Sequence, residues 1–233
     1  MQIVYIFGGM VIFWSTLLTI ILRLEKRMAW AYSELQPEPP YVDTTGYGAS
    51  RVAEAVDAGF SVLGWARDLK GSKYRVSYAM LISPERNIFA IIGVGSIIQI
   101  PLAATWLYTH TLDGRCFYST DHQSGVQLDL SRHWTNQLVP GSAFGKLLQK
   151  HQDWIKTNEV VPRPLTRGQE VVELRTLRQE HYRFMERASL IGFTDGSMNY
   201  FRFTLSGAAK TATTSYFLGM ARKLSRGRFP RNA

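Results

Sequence analysis

The chain carries one cysteine, Cys116, in 233 residues. A single thiol excludes an intramolecular disulfide framework and any multi-thiolate zinc or iron–sulfur centre. Histidine is sparse and scattered: His110, His122, His133, His151 and His181 stand eleven or more residues apart. No H-x-x-x-H or similar pair forms, so the spacing calls for no metal. Gly93-x-Gly95 lacks the following glycine, the lysine and the helix start of a phosphate loop, and no cofactor is expected. Internal repeats and low-complexity tracts are absent as well. Acidic residues are few, 18 against 27 Lys and Arg, for a net charge of +9. An apolar fraction of 45% with 19% charged residues is enough for a packed core and excludes global disorder.

What is present is a long apolar start. Ile3 to Leu22 hold no charge, and their polar residues are Ser15, Thr16 and Thr19. At about 1.5 Å per residue such a helix spans about 30 Å, the thickness of a bilayer core. The run is too long, and lacks the basic n-region, for a cleavable signal peptide. Arg23, Lys26 and Arg27 follow it directly. The positive-inside rule then expects the amino terminus outside, the remaining domain in the cytoplasm, and these three cations at anionic lipid headgroups.

A second uncharged stretch, Ile88 to Leu107, satisfies the same length rule. Gly93, Gly95, Ser96, Gln99 and Pro101 interrupt it, and turn signals at Ser83-Pro84 and Asp113-Gly114 flank it. Its Ile and Val content fits strands, and one span rather than two is expected.

The resulting organisation is α+β: an N-terminal transmembrane helix (1–22), a juxtamembrane helix and Pro-rich linker (23–44), an antiparallel β-meander packed with helices (45–160), and a basic helical C-terminal region (161–233). Helices are expected over Ser50 to Ala58 and Phe144 to Thr157, and one follows the capping-box spacing Thr166-Arg167-Gly168-Gln169. Tyr74, Val76, Tyr78 and Met80 alternate as in a half-buried strand. A last helix is expected with Ser206 as its cap. Residues 161–233 hold 13 basic and 5 acidic residues. Arg222, Lys223, Arg226 and Arg228 crowd its end, and with a membrane nearby they are candidates for anionic headgroups. No zinc-finger or RNP-like spacing accompanies them, and nucleic acid is not an expected partner.

The densest polar segment is Asp113 to Gly125. Asp113, Arg115, Thr120, Asp121 and His122 are its candidate ligand-binding residues, with His151 supplied by the covering helix. Ser119 lies among them as a hydroxyl that a histidine can activate. Adjacent strand residues point to opposite faces, so Asp121 and His122 form no dyad while the strand continues. No catalytic residue is assigned.

The stretches SPERNIFAIIGVGSI, TWLYTHTLDGRCFYSTDHQSG and YFRFTLSGAAKT, with an HQDW helix between, resemble a group of bacterial membrane-associated proteins of unknown function, over roughly residues 45 to 225. The resemblance implies a bacterial origin, hence the inner membrane, and supports strands over 88–107. It carries no activity and no site residues. The expectation is a single-pass, non-catalytic binding, adaptor or accessory subunit of a membrane complex, with a protein partner. The alternative is a membrane-anchored enzyme with its site around Asp113 to Gly125.

Overall fold

The computed structural model describes residues 2–41, 46–69, 74–97, 100–122, 134–194, 196 and 198–212. In chain order the elements are α1 (Gln2–Leu24), β1 (Arg27–Met28), α2 (Tyr47–Asp57), β2 (Ser61–Arg67), β3 (Tyr74–Ile82), β4 (Phe89–Ile97) and β5 (Ile100–His110). There follow β6 (Cys116–Thr120), β7 (Trp134–Leu138), α3 (Phe144–Thr157), α4 (Glu170–Arg187), β8 (Ile191–Phe193) and β9 (Tyr200–Phe203). They divide into two compact units, one from Trp30 to Arg178 and one built from residues 2–29 with the described residues from Gln179 onward.

The first unit is a six-stranded sheet in the order β2-β3-β4-β5-β6-β7. Strands β2 to β6 pair antiparallel in sequence order, as a meander. Strand β7 runs parallel to β6, which corrects the expected all-antiparallel sheet. The physical reason is the connection, residues 121–133, which is long enough for a crossover where an antiparallel neighbour needs only a tight turn.

Both faces of the sheet are covered. Val76, Tyr78, Met80, Phe89 and Ile91 pack on one side with Trp30, Leu165 and Leu174. Ala79, Leu81, Ala90, Ile92 and Leu107 pack on the other with Ala55 of α2 and Phe144 and Leu147 of α3. Strands buried on both faces read as continuous apolar runs rather than alternating ones. That is why Ile88 to Leu107 imitates a membrane span in the sequence and forms β4 and β5 in the structure.

The exposed edge of the sheet is managed by the chain before it. Gln36 and Trp65 exchange backbone hydrogen bonds at 2.7 and 2.8 Å, and the Ser33 amide donates to the Arg67 carbonyl at 3.1 Å. Residues 31–36 therefore run extended along β2, where a continued helix was expected, and they blunt an edge that could recruit another strand. Pro37 and Pro39 end this pairing, since proline cannot donate to a ladder.

The second unit holds α1, the three-stranded sheet β1-β9-β8, the end of α4 and a helical stretch over 205–212. Thr204, rather than the expected Ser206, caps that stretch: its hydroxyl accepts the Gly207 amide at 3.1 Å. The expected N-terminal transmembrane helix is corrected, because among the described residues no helix is long and apolar enough to cross a membrane. Helix α1 does form over the apolar run, but its last turns belong to a folded unit. Leu22 is buried and α1 packs against β9. A length rule counts uncharged residues and is blind to such packing.

Candidate functional site

The expected site residues separate into four places. Asp113 and Arg115 form an exposed turn after β5, where Arg115 Nε donates to Asp113 Oδ2 at 2.7 Å. The Thr111 hydroxyl also donates to Asp113. That bond first, and Arg115 after it, hold the Asp113 carboxyl below the ordinary carboxylate range. Thr120 ends β6 on the face opposite Ser119, and its hydroxyl accepts the His122 amide at 3.2 Å.

Asp121 turns toward the helices. Its Oδ1 accepts the Thr105 amide at 2.8 Å, and its Oδ2 lies 3.3 Å from Arg51 Nη1 of α2. Both side chains of this ion pair are 6% exposed. Burial raises the carboxyl above its ordinary range, against the opposing pull of the Thr105 amide and the Arg51 charge. Arg51 also donates to the Ser142 carbonyl at 2.5 Å, so one guanidinium ties α2 to β6 and to the turn before α3. Glu54, one turn further along α2, accepts the Phe144 amide at 2.8 Å and satisfies a free N–H of the first turn of α3.

His151 lies on α3 with no exposed surface. Its Nδ1 is 2.7 Å from the Ser119 hydroxyl and its Nε2 is 2.9 Å from the Thr109 hydroxyl. Ser119 on β6 and Thr109 on β5 are fully buried too. Burial lowers the imidazole pKa to about 3, so the ring is neutral and uses one nitrogen as donor and the other as acceptor. A hydroxyl beside an imidazole is half of a nucleophilic constellation. Here the partner that would orient a general base is a threonine rather than a carboxylate, and both groups are fully buried. What the arrangement does is satisfy three polar groups under α3.

Of the expected lipid-facing cations, Arg23 is exposed, Lys26 sits over the Tyr200 ring at 4.1 Å, and Arg27 pairs with Glu25 at 2.5 Å beside the Phe203 ring. Arg222, Lys223, Arg226 and Arg228 lie outside the described residues. Among the described residues no group of three or more His, Cys, Asp or Glu is placed to hold a metal ion. Cys116 is buried at the first position of β6, and burial pushes its thiol far up, out of the reactive range.

Among the described residues this unit has a cavity of about 440 Å³ between α2 and the β2–β4 end of the sheet. Val52 and Val56 of α2, Val94 of β4, Trp65 of β2 and Pro39 supply its apolar walls. The helix leaves room because its residues there are small. Gly48 sits so close to β4 that a Cβ would lie 2.0 Å from Val94 Cγ2. Ala49 and Ala53 also line the space. The Ser77 hydroxyl is already engaged: it accepts the Tyr41 amide at 3.0 Å and donates to the Tyr41 carbonyl at 3.1 Å. Asp57, at the last position of α2, is the charged residue of the lining.

Sequence reasoning placed Ser119 in the polar segment and brought His151 to it from the covering helix, but missed their direct contact, Thr109, Arg51 and the cavity. The available signal was α2 itself, a short helix with Gly48, Ala49 and Ala53 clustered where a core helix ordinarily places large residues. The chain matches no protein-family model, no curated protein and no solved structure.

Proposed function

We propose that this chain is a non-catalytic binding protein, an accessory or adaptor subunit, whose recognition element is the cavity between α2 and the sheet. The observation that carries this reading is the cavity's make-up. Its volume falls within the ordinary range for small-molecule sites, about 300–1,000 Å³, and such sites are lined by apolar side chains with few polar groups. The competing enzyme reading has less support. Asp113 and Arg115 satisfy each other in an exposed turn, Asp121 is committed to Arg51, and His151 is sealed with both ring nitrogens bonded.

Methyl-resolved NMR of the full chain titrated with octan-1-ol tests the proposal. The methyls of Val52, Val56 and Val94 are expected to shift saturably, while those of Val76, on the other face of the sheet, stay in place. Absence of any saturable shift at the three cavity valines overturns it.

A further inference from the structure

We infer that the ligand of the α2 cavity is an apolar molecule with a cationic head, such as an alkylamine; this rests on the binding role proposed for that cavity. Three observations converge. Val52, Val56, Val94 and Trp65 give walls that accept a hydrocarbon body. The Ser77 hydroxyl, the polar group on the sheet side, spends its donor and one acceptor on Tyr41, and so is poorly placed to read a polar head. The charge of the lining is a single carboxylate, Asp57, and among the described residues it makes no ion pair.

The position of that carboxylate adds to its sign. Asp57 closes α2, where the helix dipole presents its negative end. A carboxylate at a helix C-terminus is unfavourable for the helix itself and favourable for a cation bound beside it. No Lys, Arg or His lines the cavity among the described residues, so nothing there compensates an anionic head. A fatty acid or a phosphate ester is repelled. A cation with an apolar tail places its tail on Val52, Val56 and Val94 and its head at the exposed rim by Asp57.

The test compares three probes of one chain length, octylamine, octan-1-ol and octanoate, on the full chain at neutral pH and low salt, read at the valine methyls of the cavity. The inference expects octylamine to bind about fivefold tighter than octan-1-ol, octanoate to bind weakest, and the amine's advantage to shrink as salt is added. Asp57→Asn, at an exposed position, is expected to erase the difference between amine and alcohol. Equal binding of amine and alcohol to the unaltered chain, or a difference that survives in Asp57→Asn, overturns the inference and leaves the binding role standing. Failure of all three probes to shift the cavity valines overturns the binding role itself.

Discussion

His151 and Ser119 are 32 residues apart in the chain and meet at 2.7 Å in a place without water-accessible surface. One belongs to α3 and the other to β6, so the contact exists only when the helix has docked on the sheet. Thr109 completes it from β5 at 2.9 Å. The Ser119 hydroxyl also donates to Gln137 Oε1 of β7 at 3.3 Å, and such buried polar networks stabilise when every member is bonded and cost most when one is removed.

His151→Ala is expected to destabilise the protein by about 3–5 kcal/mol, through the cavity it leaves and the loss of its bonds to two buried hydroxyls. Ser119→Ala, which orphans one ring nitrogen, is expected to cost about 1–3 kcal/mol. Urea denaturation reads both. A loss below about 0.5 kcal/mol for His151→Ala, the range of an ordinary surface change, contradicts the docking of α3 described above.

Acid should weaken the fold before the carboxylates are fully protonated. Burial lowers His151 to about 3, and burial followed by the Arg163 charge lowers His110 to about 4, against 6.5 in an exposed chain. Between pH 6.5 and those values the unfolded chain binds protons that the folded chain refuses, so stability falls as pH falls. Each histidine contributes a slope of about 1.4 kcal/mol per pH unit in its window. Denaturation at a series of pH values should show this slope reduced by about half in a chain carrying His110→Gln. A flat profile from pH 6.5 to 4.5 overturns the buried, neutral state of both rings.

Arg51 and Asp121 form a buried ion pair, and its two halves are unequal to lose. Arg51→Met strands a carboxylate at a site that already disfavours its charge, and should cost about 3–5 kcal/mol. Replacing both, Arg51→Met with Asp121→Leu, should recover part of that loss, because no buried charge then remains without a partner. Additive losses in the double variant, measured by the same denaturation, contradict a direct pairing.

Gly95 in β4 has φ 144°, and a Cβ there would lie 1.9 Å from the Arg75 carbonyl oxygen. Gly95→Ala should therefore destabilise by about 2 kcal/mol or more, by strain and clash against a backbone that cannot rotate away. A stable Gly95→Ala variant, seen as an unchanged urea midpoint, contradicts the β3–β4 register at that pair.

Much of the sheet unit was legible beforehand, and the reasons differ by element. Strand β3, the Asp113-Gly114 turn and the helix over Phe144 to Thr157 follow from local chemistry, although β3, expected to be half-buried, is covered on both faces, with Ser77 and Ala79 as buried as Val76 and Met80. Strand β7 was not legible. WTNQL is short and polar, and what makes it a strand is its parallel seat beside β6. The extended course of residues 31–36 was hidden for a similar reason, since it is set by the free edge of β2 rather than by its own residues. The apolar run at the start misled in the opposite direction, because counting cannot tell an apolar surface from one that packs against β9.

The sequence by itself determined composition, compartments of charge and the elements whose residues agree with their own periodicity. It limited the chemistry to one without thiolate clusters or spaced metal ligands, and it singled out Ser119, Asp121 and His151 as polar groups worth following. The tertiary structure decided what those groups do. Ser119 and His151 were brought together and sealed, Asp121 was spent on Arg51, and the space for a ligand opened elsewhere, beside a helix of small residues. The reason is physical. Whether a polar group is a site or a fastening depends on its burial and its partners, which are contacts between residues far apart in the chain, and no local pattern encodes them.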